Sequence, residues 1–190
     1  MIVELRQYLL HPGRRDVLID LFDREFVESQ EDLGMAVLGQ FRDLDRPDHF
    51  VWLRGFADMP ARRAGLEAFY GGPVWKEHAA AANATMIDSD DVLLLRSDPL
   101  PLGPRTGSRS PYDLLVFYRD RPWPADLALD GALATLHTEY AVNDFPALPV
   151  RAGEHALVAL TRSGCAVPDL DGLTRTDHLR LMPTERSALR

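Results

Sequence analysis

Residues 36–56 read AVLGQFRDLDRPDHFVWLRGF, and two short alternating runs meet there across a turn. In the first run Val37, Gly39 and Phe41 alternate with Leu38, Gln40 and Arg42. In the second, Val51 and Leu53 alternate with Phe50, Trp52 and Arg54. Side chains two apart share one face of a strand, so the runs predict strands over 36–43 and 50–56. Leu44-Asp45-Arg46-Pro47-Asp48 between them is turn chemistry, which makes the pair a hairpin.

Upstream, residues 2–10 alternate Val3, Leu5 and Leu9 against Glu4, Arg6 and Tyr8, and His11-Pro12-Gly13 ends that strand. Val17, Leu18, Leu21, Phe22 and Phe26 then recur at helical spacing over 14–33, with Gly34 as the stop. Downstream of the hairpin, Asp58 is placed to cap a helix over 59–70 with Pro60 in its first turn. Gly71-Gly72-Pro73 breaks it, a further helix is expected over 74–84, and 92–96 reads as a closing strand. The order is βαββαβ, the ferredoxin-like split unit.

Residues 97–111, SDPLPLGPRTGSRSP, have four prolines, two glycines and no period, the composition of a linker. After them the pattern restarts: strands are expected at 113–118, 132–140, 155–162 and 178–182. Gly39-Gln40-Phe41-Arg42 lays onto Ala134-Thr135-Leu136-His137 as small, polar, apolar and basic in turn. The second copy has reduced helices, at most 123–130 and a turn or two in 165–176, where Pro168 and Gly172 interrupt. The expectation is an α+β chain of two ferredoxin-like repeats: 1–96, the linker 97–111, and a degenerate repeat 112–190. Thin helical cover should leave apolar strand surface such as Leu157 and Leu160 short of partners, which predicts a homodimer.

The net charge of −8 argues against a dedicated nucleic-acid binder, and no segment approaches a bilayer-spanning apolar run. Glu4 and Arg6 interrupt the opening MIVELRQYLL, so no signal peptide is expected, and the single cysteine, Cys165, suits a reduced, cytoplasmic setting. No phosphate loop, no Gly-x-Ser-x-Gly elbow and no metal-ligating His pair occurs. No metal or organic cofactor is therefore expected. Cys165 beside Gly164 is a weak candidate nucleophile.

The opening Glu4-Leu5-Arg6-Gln7-Tyr8, the hairpin residues Leu38-Gly39-Gln40-Phe41 and Phe50-Val51-Trp52-Leu53-Arg54, and the run Phe69-Tyr70-Gly71-Gly72-Pro73-Val74-Trp75 resemble the NIPSNAP family. The run Asn143 to Val150 with Gly153-Glu154, and the tail Leu181 to Ser187, resemble the second repeat of tandem bacterial members. The resemblance implies a dimeric α/β-barrel type fold, in which two ferredoxin-like sheets meet through their non-helical faces around a cavity. Relatives in that superfamily include cofactor-free monooxygenases, cyclases and haem-degrading proteins, so the resemblance sets architecture more than chemistry.

In such a barrel the face away from the helices lines the cavity. With the apolar set Val3, Leu5, Val37, Phe41, Val51 and Leu53 turned to the helices, the cavity would receive Glu4, Arg6, Tyr8, Gln40, Arg42, Trp52 and Arg54. The second repeat would add Thr135, His137 and Glu139. Arginines with aromatic walls suit a carboxylate, phenolate or phosphate on a compact, partly aromatic small molecule. His137, Tyr8 and Arg54 are the catalytic candidates, for an oxygenase, isomerase or cyclase type of reaction. Arg6, Gln40, Arg42 and Trp52, with the cluster Tyr70, Trp75 and His78, are the substrate-binding candidates. The same arginines and Glu4 equally suit an ion-pair network joining two sheets, which would make the chain a non-catalytic assembly module. A third reading has His78 or His137 as a haem ligand. Residues alone leave enzyme and binding module both open.

Overall fold

The hairpin forms as its alternation requires. Gln40 stands opposite Trp52 and Phe41 opposite Val51 in an antiparallel pair. A bulge between Val37 and Gly39 lets one sheet face change hands along the first strand. Gly39 is needed there, because a Cβ would stand 2.6 Å from the ring of Phe41. The computed structural model describes residues 1–164 and 170–190. Its strands are β1 (Ile2–Leu10), β2 (Ala36–Asp43), β3 (His49–Phe56), β4 (Met86–Arg96), β5 (Tyr112–Arg119), β6 (Ala134–Thr138), β7 (His155–Arg162) and β8 (Arg175–Pro183).

These eight strands close into one antiparallel barrel in the order β1-β3-β2-β8-β5-β7-β6-β4. Each half of the chain contributes four neighbouring strands in the ferredoxin-like order. The halves meet at two seams. Phe41 and Arg42 of β2 pair with Pro183 and Met182 of β8. Leu95 and Arg96 of β4 pair with Thr138 and His137 of β6. One chain therefore completes the barrel, and the linker 97–111 carries no helix or strand.

Helices cover the outer face of the first half alone. The helix expected over 14–33 is α1 (Arg15–Leu21), a π segment (Phe22–Phe26) and α2 (Glu28–Glu31) in succession. The wider π turn keeps Phe22 and Phe26 both on the buried side, edge to face at 5.9 Å. Gly34 ends the run at φ +79°, where other residues are strained. α3 (Met59–Gly71) is capped by the Asp58 carboxylate, which accepts from the Ala61 amide at 2.8 Å, and α4 (Pro73–Asn83) follows. No helix is long and apolar enough to cross a membrane among the described residues.

Two expectations are corrected. The second half has no helix among the described residues, where 123–130 was expected to hold one. Pro122 and Pro124 leave too short a run to nucleate a helix, and the segment lies as turns. Those turns still cover the sheet: Trp123, Leu127 and Leu129 pack on Leu115, Phe117 and Leu157. Leu157 and Leu160 are fully buried, the first beneath these turns and the second inside the barrel, so the surface offered as the motive for a dimer is absent. Cys165 lies outside the described residues.

The second correction concerns the faces. Val3, Leu5, Phe41, Val51 and Leu53 point into the barrel, where they meet Leu114, Val116, Val158 and Leu160 of the second half. An eight-stranded barrel is just wide enough for side chains to fill, and this one is filled with aliphatic residues. Glu4, Arg6, Tyr8, Trp52 and Arg54 instead point outward, beneath the helices. Alternation fixes which residues share a face. It does not say which face the helices take when both are buried.

Candidate functional site

Between the first sheet and its helices lies a buried charged cluster centred on Glu4. Its Oε2 accepts from Arg6 Nη1 at 2.8 Å, Arg54 Nη2 at 2.7 Å and Arg54 Nε at 3.1 Å. Its Oε1 accepts from Arg62 Nε at 2.8 Å. Arg6 and Glu4 are neighbours on one face of β1, Arg54 lies opposite Glu4 on β3, and Arg62 comes down from α3. All four are essentially inaccessible to solvent. Burial pushes the Glu4 carboxyl up, but Arg54, Arg6 and Arg62 outweigh it and hold it well below the usual carboxylate range.

Aromatic rings form the walls. Trp52 lies under Arg54 at 5.0 Å and Arg6 at 5.8 Å, within cation–π range of both. Tyr8 Oη accepts from Arg6 Nε at 3.0 Å. Phe22 meets Trp52 at 4.7 Å and Tyr70 meets Trp75 at 4.8 Å. The rings of Tyr8, Phe22, Phe26, Trp52, Tyr70 and Trp75 enclose a cavity of about 30 Å³, with the Gln30 amide on its border. Gln30 accepts from Arg54 Nη1 at 3.1 Å and donates to the Phe26 carbonyl at 2.6 Å, so the π segment is tied to the cluster. Two buried donors, Trp52 Nε1 and Arg62 Nη2, lack a hydrogen-bond partner among the described residues. Buried polar groups are nearly always satisfied, so both stand out; Trp52 lines the cavity, whereas Arg62 lies outside its lining.

The NIPSNAP family model matches residues 3–99, just over half of the chain, including β1 to β4 and every residue of the cluster named so far. The chain belongs to the NIPSNAP family. A NIPSNAP domain protein from Burkholderia xenovorans is 17% identical, covering 55% of this chain and 99% of its own, with a TM-score of 0.47. Two solved structures span nearly the whole chain. A putative monooxygenase from Lactobacillus acidophilus covers 96% of this chain and 93% of its own at 10% identity, with a TM-score of 0.59. One from Fusobacterium nucleatum covers 96% and 91% at 8% identity, again at 0.59. The likeness is one of fold. No curated protein sequence matches the chain.

In this NIPSNAP protein the expected site residues fall into three groups. Tyr8, Trp52, Tyr70 and Trp75 line the one cavity, and Arg6 and Arg54 stand beside it in the cluster. Gln40 and Arg42 lie on the same outer face but farther along β2: Gln40 Nε2 donates to Asp23 at 3.1 Å, and Arg42 Nε to the exposed Asp16 at 2.9 Å. His78 sits outside the rings, with Nε2 at 3.5 Å from Glu25. His137 is two strands round the barrel from β1, on the outer face of the second half, its Nε2 at 2.9 Å from the Leu127 carbonyl. It borders a half-open hollow of about 820 Å³, whose charged lining residues are Arg96, Asp98, Asp126 and Glu139. Thr135 Oγ1 accepts from the Leu129 amide there, and Glu139 is bound to Arg96.

Arg62, Gln30, Phe22 and Phe26 are the site residues that the strand pattern missed. Arg62 had a legible signal, since with Leu66 and Phe69 it keeps the i, i+4, i+7 spacing of the buried stripe of α3. A charged residue on such a stripe calls for a buried partner, here Glu4.

Asp23 of the π segment adds a pH response. Burial pushes its carboxyl up to about 6 despite Arg186 and Arg42. The folded chain thus holds this proton above the ordinary value of 3.8, and stability falls as pH rises from about 4 to about 6. Asp23→Asn is expected to raise Tm modestly at pH 7.5 and to leave it unchanged near pH 4. Equal effects at both pH values would show that burial of this carboxylate has no such cost.

Proposed function

We propose that the first half of this chain binds a compact, partly aromatic anion, a carboxylate or phenolate, in the space between the Glu4 cluster and the aromatic walls. The observation that carries the reading is the difference between the halves. At the matching outer positions of β5 and β7 the second half has Leu115, Phe117, Leu157 and Ala159, and packs without a charge. The barrel therefore does not need Glu4, Arg6 and Arg54 for its architecture. Three buried guanidiniums share Glu4, and Asp144 pairs with Arg62 from the rim, so one positive charge is left over in a space that favours an anionic ligand. The reaction class we assign is cofactor-independent, an oxygenase, isomerase or cyclase acting by positioning and polarising its substrate, with Tyr8 and Arg54 nearest the chemistry. The fold likeness to two putative monooxygenases is in keeping with this.

We read the two halves as tandem copies of which one has kept the site, in a cytoplasmic protein. A homodimer would have to pair through a surface other than the barrel seams, since both are filled within the chain.

Benzoate is the simplest probe. At a hundred times its Kd it should stabilise the chain by about 2.7 kcal/mol, a rise in Tm of roughly 5–10 °C. Benzylamine should give no rise. Equal shifts for both compounds, or none for any aromatic acid tried, would leave the assembly-module reading in possession of the cluster.

A further inference from the structure

The connection between β6 and β7, residues 139–154, belongs to the second half yet lies against the first. Phe145 stacks on Tyr70 at 5.8 Å with the rings 27° apart, and Leu148 joins the aromatic wall. Asn143 shapes the strap from within: its Nδ2 donates to the Leu148 carbonyl at 2.9 Å and its Oδ1 accepts from the Phe145 amide at 3.2 Å. At the tip, Asn143 Oδ1 at 3.1 Å and Asp144 Oδ1 both accept from Arg62 Nη1. The matching connection of the first half, residues 44–48, is a short turn that, among the described residues, meets the second half only at Arg180 of β8, through the Leu44 amide and the Asp45 carboxylate.

The cavity of about 30 Å³ holds a water or so and an aromatic ligand must open it; the strap meets it only through Tyr70, a lining residue on which Phe145 stacks. Resting on the reading above, we propose that Arg62 is the carboxylate-binding residue of the site and that Asp144 is a tethered stand-in for the ligand. A small aromatic carboxylate binds by displacing Asp144 from Arg62 and lifting Phe145 from Tyr70.

Three observations support the exchange. Arg62 is wholly buried, whereas the Asp144 side chain is about one-fifth exposed, so the acid is the partner able to leave. Exchanging one carboxylate for another keeps the guanidinium paired before and after, so neither end state strands a buried charge. Among the described residues Arg62 Nη2 has no partner while Asp144 is in place, and an untethered carboxylate can take Nη1 and Nη2 together, the bidentate geometry the strap does not complete.

Trp52 and Trp75 line the cavity, so tryptophan fluorescence of the full chain reports its occupation. Benzoate and its neutral counterpart benzamide are titrated into wild type, Asp144→Asn and Asp144→Ala, with circular dichroism to show that each variant is folded. Removing the stand-in is expected to tighten benzoate roughly tenfold, about 1.4 kcal/mol, and to leave benzamide unchanged. Arg62→Gln is expected to erase the preference for benzoate. Unchanged benzoate affinity in both Asp144 variants, with wild type binding normally, overturns the stand-in and leaves the anion site standing. Equal gains for benzoate and benzamide overturn it as well, since the strap is then a plain cover. Benzoate binding to no variant sinks the site and the stand-in together.

Discussion

Glu4→Gln is expected to lower Tm at neutral pH by roughly 10 °C or more, the loss of about 3–5 kcal/mol that follows when one partner of a buried ion pair is removed. The substitution keeps the shape of the side chain but leaves Arg6, Arg54 and Arg62 without their shared carboxylate. Because the folded-state carboxyl is held far below its ordinary 4.5, Glu4 contributes its full stabilisation above that value and loses it as pH falls further. Wild type and variant should therefore converge as melts are taken from pH 7 towards pH 3. A loss under 1 kcal/mol at pH 7 would mean that water reaches the cluster.

Replacing the cluster as a whole should have the opposite effect on stability and a larger one on binding. Glu4→Leu, Arg6→Met, Arg54→Met, Arg62→Met and Gln30→Met together imitate the apolar outer face of the second half. Buried ion-pair networks exchanged for well-packed apolar residues commonly leave stability unchanged or raise it by about 1–4 kcal/mol. Binding of benzoate should fall by more than about a hundredfold, since the anion then meets no cation in a low-dielectric space. Melting and titration of this variant separate the two readings of the cluster. A folded protein that has lost its ligand marks a functional site, and a chain that no longer folds marks an ion-pair core.

Much of the fold was legible because its signals are local. The turn at 44–48, the stop at Gly34, the cap at Asp58 and the alternation of β1, β2 and β3 each depend on a few neighbouring residues. The strand expected over 92–96 begins six residues earlier, where the exposed stretch with Ile87, Asp88 and Asp90 extends β4 alongside β1. The site was legible as a grouping and not as a place. Parity put Arg6, Tyr8, Gln40, Arg42, Trp52 and Arg54 together; the structure groups all but Gln40 and Arg42, which lie farther along β2, and parity could not say which side of the sheet they occupy. His137 was assigned to the same space by analogy between repeats, but both sets face outward from a filled barrel, so the second half's set lies on another side of the molecule. Asn143 and Asp144 had no signal of this kind, since a strap arriving from the other half follows from how the barrel closes.

That closure also bears on how the protein is made. Residues 181–183 of β8 complete the seam with β2, and the Leu189 amide donates to the Leu38 carbonyl at 3.0 Å. Residues as far as 189 must leave the ribosome before the barrel can shut. Until then the emerging first half carries Val3, Leu5, Phe41, Val51 and Leu53 on an open sheet, a surface apt to aggregate during translation. Deleting residues 181–190 removes the seam with β2 and is expected to leave that sheet open.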